Sequence, residues 1–242
     1  MFDSSSVGFI IQARMASTRL PGKVLMPLPF LSKKTLLDHI IDSLNPLGAK
    51  VIVATSNETS SDPIASFCEE RAIECFRGDE NNVLSRFMAI QEKYQFHYIF
   101  RFTADNPLID THTLGFFFRN VVEDGLDYAY SKGMPLGMNF EFFRGETLVA
   151  SSAYANVPSD YEHVTPAIRR NAVFKTKEIR LEDLEELRMT IDTVSDYALM
   201  SMLFQLKLET NLDGLSLIKS FAIKYPWLLE LNKHVAQNKV DE

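Results

Sequence analysis

A chain of 242 residues with 46% hydrophobic content is long enough for one large domain, or a domain with a small lobe. Its net charge of -7 argues against a general nucleic-acid binder, which needs a basic face. No apolar run is long enough to span a bilayer; the uncharged stretch 24–32 is interrupted by Pro27 and Pro29. The first residues carry neither a basic region nor an apolar leader, and Cys68 and Cys75 fit packing in a reduced protein better than a disulfide framework or a zinc site, so a cytoplasmic location is expected.

The elements alternate. Residues 7–13 form an apolar run that predicts a buried strand. Leu36, Leu37, Ile40, Ile41 and Leu44 recur at helical spacing, which predicts a helix over 35–44. The β-branched run 50–55 predicts a strand, and Asp62-Pro63 then supplies an N-cap and a first-turn proline for a helix that buries Ile64, Phe67, Cys68 and Ala72. A short strand at 73–76, a helix at 82–94, a strand at 97–103 and a helix at 111–122 complete a series that implies a parallel sheet with helices on both faces. After residue 127 the pattern shifts to short strands at 127–131 and 139–144, helices at 146–156 and 161–170, and strands at 173–181 and 186–191. From 194 to about 237 the chain reads as helical, with breaks near 211–214 and at Pro226. Phe221, Tyr225, Trp227, Leu228, Leu229 and Leu231 are many apolar groups for a free tail, and they fit either packing on the same chain or a homodimer contact.

Several motifs are excluded. A Walker A loop needs Gly where Ser17 stands and Ser or Thr where Val24 stands. No Gly-x-Gly, Asp-x-Asp, Gly-x-Ser-x-Gly or metalloprotease His pair occurs. What remains is the loop after the first strand. No acid occurs over 4–37, while Arg14, Arg19, Lys23, Lys33 and Lys34 lie there. Surface cations are usually only solvated, but Pro21 and Gly22 shape this loop, and its charge pattern suits a nucleoside triphosphate. Asp105 follows the strand at 97–103, and Asp192 follows 188–191, expected as a strand end. In an open parallel sheet such positions face the ligand, and two carboxylates there suit one Mg²⁺ held against a phosphate. Each Asp could equally cap a turn, as Thr193-x-x-Asp196 caps the next helix.

Ile-Ile-Gln-Ala-Arg-Met-Ala-Ser-Thr-Arg-Leu-Pro-Gly-Lys-Val-Leu at 10–25 closely resembles the opening of the cytidylyltransferase family that includes the spore coat polysaccharide proteins, and more distantly the CMP-Kdo and CMP-sialic acid synthetases. The resemblance continues in order through Val53-Ala-Thr-Ser56, Arg77-Gly78, Val83-Leu-Ser-Arg86, the segment 101–110, Asp127-Tyr128, Gly137-Met-Asn-Phe-Glu141, Glu162-His-Val-Thr165 and Thr190-Ile-Asp-Thr193. It implies a Rossmann-like, three-layer α/β/α nucleotide-diphospho-sugar transferase fold in a single nucleotidyltransferase domain. Its nucleotide half would span 1–126, its sugar-side half 127–193 and its C-terminal helices 194–242.

The implied reaction joins CTP to a sugar or sugar acid, giving CMP-sugar and pyrophosphate for surface polysaccharide or glycoconjugate synthesis. Carried onto this chain, Arg14, Arg19 and Lys23 would grip the triphosphate alongside Gln12, Ala13, Ser17 and Arg77. Lys23, Arg14 and Asp105 would carry the chemistry, Asp105 and Asp192 would hold Mg²⁺, and Asn139, Glu141, Glu162 and His163 would lie toward the sugar. A His on a helix is more often packed or solvated than catalytic, and only the resemblance raises His163. Four departures stand out: Ala16 replaces a usual Gly, Asn106 a Cys, Asn139 an Asp, and Thr193-Val-Ser-Asp196 a Thr-Pro-Glu-Asp. The sugar-side changes leave room for a non-catalytic nucleotide-binding member of the fold, and base choice, which depends on backbone contacts in the loop, leaves room for another triphosphate.

Overall fold

The computed structural model describes residues 2–236. The first half runs β1 (Val7–Gln12), α1 (Leu36–Leu44), β2 (Lys50–Ser56), α2 (Asp62–Glu70), β3 (Glu74–Gly78), α3 (Val83–Tyr94), β4 (Tyr98–Thr103) and α4 (Thr111–Glu123). The second half runs β5 (Tyr128–Lys132), β6 (Glu141–Arg144), α5 (Gly145–Ser151), α6 (Pro158–His163), α7 (Pro166–Arg170), β7 (Thr176–Arg180), α8 (Val194–Glu209) and α9 (Gly214–Lys224), ending in a 3-10 segment, Pro226–Leu231.

The strands form one seven-stranded sheet in the order β3-β2-β1-β4-β6-β5-β7. β6 pairs antiparallel with both neighbours, and the other pairings are parallel. A parallel strand covered on both faces must be apolar throughout, and Val7 to Ile11 of β1 are all buried. Alternation still sorts them. Phe9 and Ile11 pack with α1, α2, α4, α8 and α9, whereas Ile10 packs with α3, α5 and α7 on the other face. This is the three-layer Rossmann-like arrangement expected from the order of elements.

Helix starts follow local chemistry. Thr35 and Asp38 form a reciprocal capping box at α1, Asn82 caps α3, Asp110 caps α4, and Thr193 with Asp196 forms the box at α8. Asp62, expected as a cap, is the first residue of α2, and its carboxylate pairs with Arg77.

Two expectations fail in the second half. The helix at 161–170 is two short helices, because Val164 adopts φ +71° and Pro166 restarts the turn. The segment 186–191 is extended but joins no ladder, making one isolated bridge from Arg188 to Leu136. Its backbone is satisfied by loops instead: Met189 N–H bonds Leu136 O at 2.7 Å and Ile191 N–H bonds Asp105 O at 2.9 Å. Gly137 permits that approach, since at φ +96° a Cβ would lie 2.8 Å from Thr190 N. Asp192 therefore follows a loop-bound extended segment and not a sheet strand.

The C-terminal apolar residues, which fit either packing on the same chain or a homodimer contact, divide between core and surface. Phe221 and Leu228 are buried in the core, and Tyr225 and Leu229 pack against it; Trp227 is 66% exposed and Leu231 38%. Most of that apolar surface is covered by the chain itself. The predicted helical stretch to Gln237 ends outside the described residues. No helix among the described residues is long and apolar enough to cross a membrane.

Candidate active site

The sheet order places β1 between β2 and β4, so the connections leaving β1 and β4 run in opposite directions and open a crevice beyond the carboxyl ends of those two strands. A cleft of about 540 Å³ lies there. Gln12 at the end of β1, Arg14, Ser17, Arg19 and Lys23 of the following loop, Asp105 after β4, Glu162 and His163 of α6, and Asp192 all line it. Residues up to 180 apart in sequence thus meet in one place.

The loop is shaped by its own backbone. Gly22 takes φ +72° and its N–H bonds Met15 O at 3.0 Å, closing the turn and aiming Lys23 inward. Ser17 Oγ accepts the Leu20 N–H at 3.4 Å. Lys23 is 7% exposed. Its ammonium donates to Asp105 Oδ2 at 3.0 Å, Asp192 Oδ1 at 2.9 Å and the carbonyl of Ile191 at 2.7 Å. Arg19 lies 3.2 Å from Asp192 Oδ2, and Arg14 lies 3.7 Å from Glu162. The loop lacks acids in sequence, but the fold brings them from the far end of the chain.

Behind Asp192, Arg188 donates to Asp192 Oδ2 at 2.7 Å and to Asp196 Oδ1 at 2.8 Å. Burial opposes ionisation of Asp192, yet hydrogen bonding and charge from Lys23, with Arg19 and Arg188, outweigh it and hold the carboxyl below its usual range. Asp196 is lowered in the same way, with Arg188 and the backbone amide of Asp192 overcoming its burial. Burial pushes His163 below the ordinary histidine value and the Arg101 charge adds to it, so its imidazole is neutral at pH 7.

A second pocket of about 290 Å³ adjoins the cleft and shares Arg101 and Thr103 with it. Asn139 and Glu141 line this pocket. Arg101 and Glu141 are cross-strand partners of β4 and β6, and their side chains meet at 2.8 Å. Glu141 Oε1 also accepts from the Tyr128 hydroxyl at 2.7 Å and from the Thr165 hydroxyl at 2.5 Å, while Arg101 donates to Gln12 Oε1 at 3.0 Å. Asn139 is exposed, and its amide oxygen accepts from Ser131 Oγ at 3.2 Å.

Two predicted residues lie apart. Ala13 is 1% exposed and its N–H is spent on Ala54 O at 3.1 Å. Arg77 lines neither pocket and bonds Ser56 O, Glu58 O and Asp62.

Sequence reasoning assigned no role to Arg101, Arg188 or Arg86, and read Asp196 only as a helix cap. Arg86 is 1% exposed, donates to Ala54 O at 3.3 Å and has an unpartnered Nε. Its burial, reinforced by the Arg14 charge, lowers its pKa to about 10. Arg86 and Arg101 stood inside the quoted motifs, which was the available signal.

The described residues contain no cluster of three or more His, Cys, Asp or Glu able to hold a metal. Asp105 and Asp192 nevertheless suit a hard divalent cation that also binds phosphate, since with Ile191 O they already gather three oxygens around one cationic nitrogen.

A family profile described as Cytidylyltransferase matches residues 8–242. The spore coat polysaccharide biosynthesis protein SpsF of Bacillus subtilis (strain 168) is 34% identical over 81% of this chain and 85% of its own length. The 3-deoxy-manno-octulosonate cytidylyltransferase of Aeromonas salmonicida (strain A449) is 35% identical over 41% of this chain and 40% of that protein. A solved cytidylyltransferase from Leptospira borgpetersenii serovar Hardjo-bovis (strain JB197) superposes with a TM-score of 0.85 at 26% identity, covering 97% of this chain and 99% of that one.

Proposed function

This chain belongs to the cytidylyltransferase family, a family of nucleotidyltransferases, and from that premise we propose that it joins CTP to a hydroxyl of a sugar or sugar acid, releasing pyrophosphate. The hydroxyl oxygen attacks the α-phosphorus, the bond from that phosphorus to the bridging oxygen breaks, and the hydroxyl proton passes to water in the open cleft.

The observation that carries this reading is the convergence of Arg14, Arg19 and Lys23 with Asp105 and Asp192 beyond β1 and β4, beside a second pocket able to hold an acceptor. Phosphoryl transfer asks for positioning and charge neutralisation more than covalent chemistry. In this reading Lys23 and Arg14 take up charge on the departing pyrophosphate, and Arg19 steadies the triphosphate. Asp105 and Asp192 hold Mg²⁺, whose chemistry is to neutralise the phosphates and polarise the α-phosphate. Asn139 faces the acceptor pocket with an amide that can donate to sugar hydroxyls. Glu162 and neutral His163 line the cleft and not the adjoining pocket, which sets them beside the triphosphate in this reading. A reduced, cytoplasmic setting suits both the free cysteines and CTP.

Thermal denaturation with CTP, UTP, GTP and ATP, each with and without Mg²⁺, tests the reading. Stabilisation by CTP that needs Mg²⁺ and vanishes in Asp105→Asn is expected, together with pyrophosphate release when a sugar acid is supplied. A shift with another triphosphate and none with CTP would reassign the base.

A further inference from the structure

Asn232 follows the C-terminal 3-10 segment, in a stretch with no chemical motif, yet it is 2% exposed. Its side-chain amide donates to Asp196 Oδ1 at 2.9 Å and to the carbonyl of Arg188 at 3.0 Å. Asp196 is fully buried, and its Oδ2 accepts the backbone N–H groups of Asp192 at 3.0 Å and Thr193 at 2.9 Å. Arg188, 8% exposed, bridges Asp196 and Asp192 Oδ2, which leaves Asp192 Oδ1 turned toward Lys23 and the cleft.

We propose that Asn232, Asp196 and Arg188 are positioning residues that aim the Asp192 carboxylate into the cleft, so that the C-terminal segment is a working part of the site. Stability alone explains the arrangement poorly. Buried ion pairs seldom outperform apolar residues of the same volume, because desolvation cancels much of the attraction. Here nearly every polar atom is matched, and the chain of bonds ends on one carboxylate oxygen of a candidate cation ligand. Each link constrains a different freedom. Asn232 fixes both the Arg188 backbone and the Asp196 rotamer, Asp196 fixes the backbone at Asp192, and Arg188 fixes the Asp192 carboxylate plane. Groups that orient a metal ligand change metal affinity or activity by about 10- to 100-fold when removed.

The inference rests on Asp192 being a cation ligand, and the experiment separates the two. The Mn²⁺ concentration giving half of the CTP-dependent rise in melting temperature is measured for the wild type, Asn232→Leu, Asp192→Ala and the double variant, with kcat and KM for CTP alongside. Asn232→Leu keeps volume and removes the donor. It is expected to raise that Mn²⁺ concentration and lower kcat by about tenfold each, with KM changed less than twofold. In the Asp192→Ala background the same substitution is expected to add nothing to either, since its effect runs through Asp192. Asp196→Asn, measured the same way, serves if Asn232→Leu does not fold. A lowered melting temperature with unchanged Mn²⁺ requirement and kcat would overturn the inference while leaving Asp192 as a ligand. An unchanged Mn²⁺ requirement in Asp192→Ala would overturn both.

Discussion

Two charged clusters flank the cleft, and they are built to opposite specifications. Around Asp192, Lys23, Arg19 and Arg188 face Asp105, Asp192 and Asp196, and the outer members open onto the cleft. Around Glu141, the carboxylate oxygens accept from Arg101, Tyr128 and Thr165, and the pair lies across neighbouring strands. Burial opposes ionisation of Glu141, but the Arg101 charge and these hydrogen bonds hold it below its usual range. The first cluster can trade its internal partners for phosphate oxygens or a cation. The second is tied instead to one guanidinium and two neutral hydroxyls drawn from β4, β5 and the turn before α7. An acid at the rim of a substrate pocket is therefore not by itself a substrate ligand; what matters is which partners it would have to give up, cations of the cleft loop or groups fixed on neighbouring strands.

That contrast is broken most directly at Lys23. Lys23→Ala is expected to lower turnover by about a hundredfold, roughly 3 kcal/mol of transition-state stabilisation. Its melting temperature should change less than its turnover, because Asp192 retains Arg19 and Arg188, while Asp105, which loses its ammonium partner, is partly open to solvent. Near-normal steady-state turnover would move the chemistry elsewhere. Glu141→Leu is expected to do the reverse. Leaving Arg101 partly buried without its acid should cost about 3 kcal/mol of stability by chemical denaturation. A substrate role for Glu141 would instead show as a lost acceptor KM in a protein of normal stability.

A smaller effect tests His163. Its folded-state pKa lies below the unfolded value of 6.5, so as pH falls the unfolded chain takes up the proton first. The associated stability is complete above that value and is lost as pH falls through the folded pKa. His163→Gln should therefore flatten part of the decline in melting temperature between about pH 7 and pH 5. His39, also lowered by burial, contributes to the same window and is left intact. An identical pH profile in the variant would show that His163 does not contribute. The Asp192, Asp196 and Glu141 contributions fade only lower, below about pH 4.

The smallest effect is expected at Arg77. Its bonds to Ser56 O, Glu58 O and Asp62 tie the end of β3 to the turn before α2. Arg77→Ala should cost about 1 kcal/mol or less of stability and leave KM for CTP unchanged. A large rise in that KM would restore it to the nucleotide site.

The order of strands and helices through α4, the parallel sheet and the cap at Thr193 were legible in the chain, because periodicity, β-branched runs and capping residues act over a few positions. The cationic loop was legible for the same reason, as a local charge pattern bounded by Pro21 and Gly22. Tertiary structure decided the rest. It brought Asp105 and Asp192 onto one ammonium, closed Glu141 with partners from β4, β5 and the turn before α7, and broke the helix at Val164. It also denied a ladder to 186–191 and sent Asn232 back beneath Asp192. Each of these depends on contacts between segments tens to hundreds of residues apart, which leave no periodic trace in the sequence. Whether a carboxylate is a ligand or a strut is set by the partners that folding delivers, and those partners are a property of the packed chain.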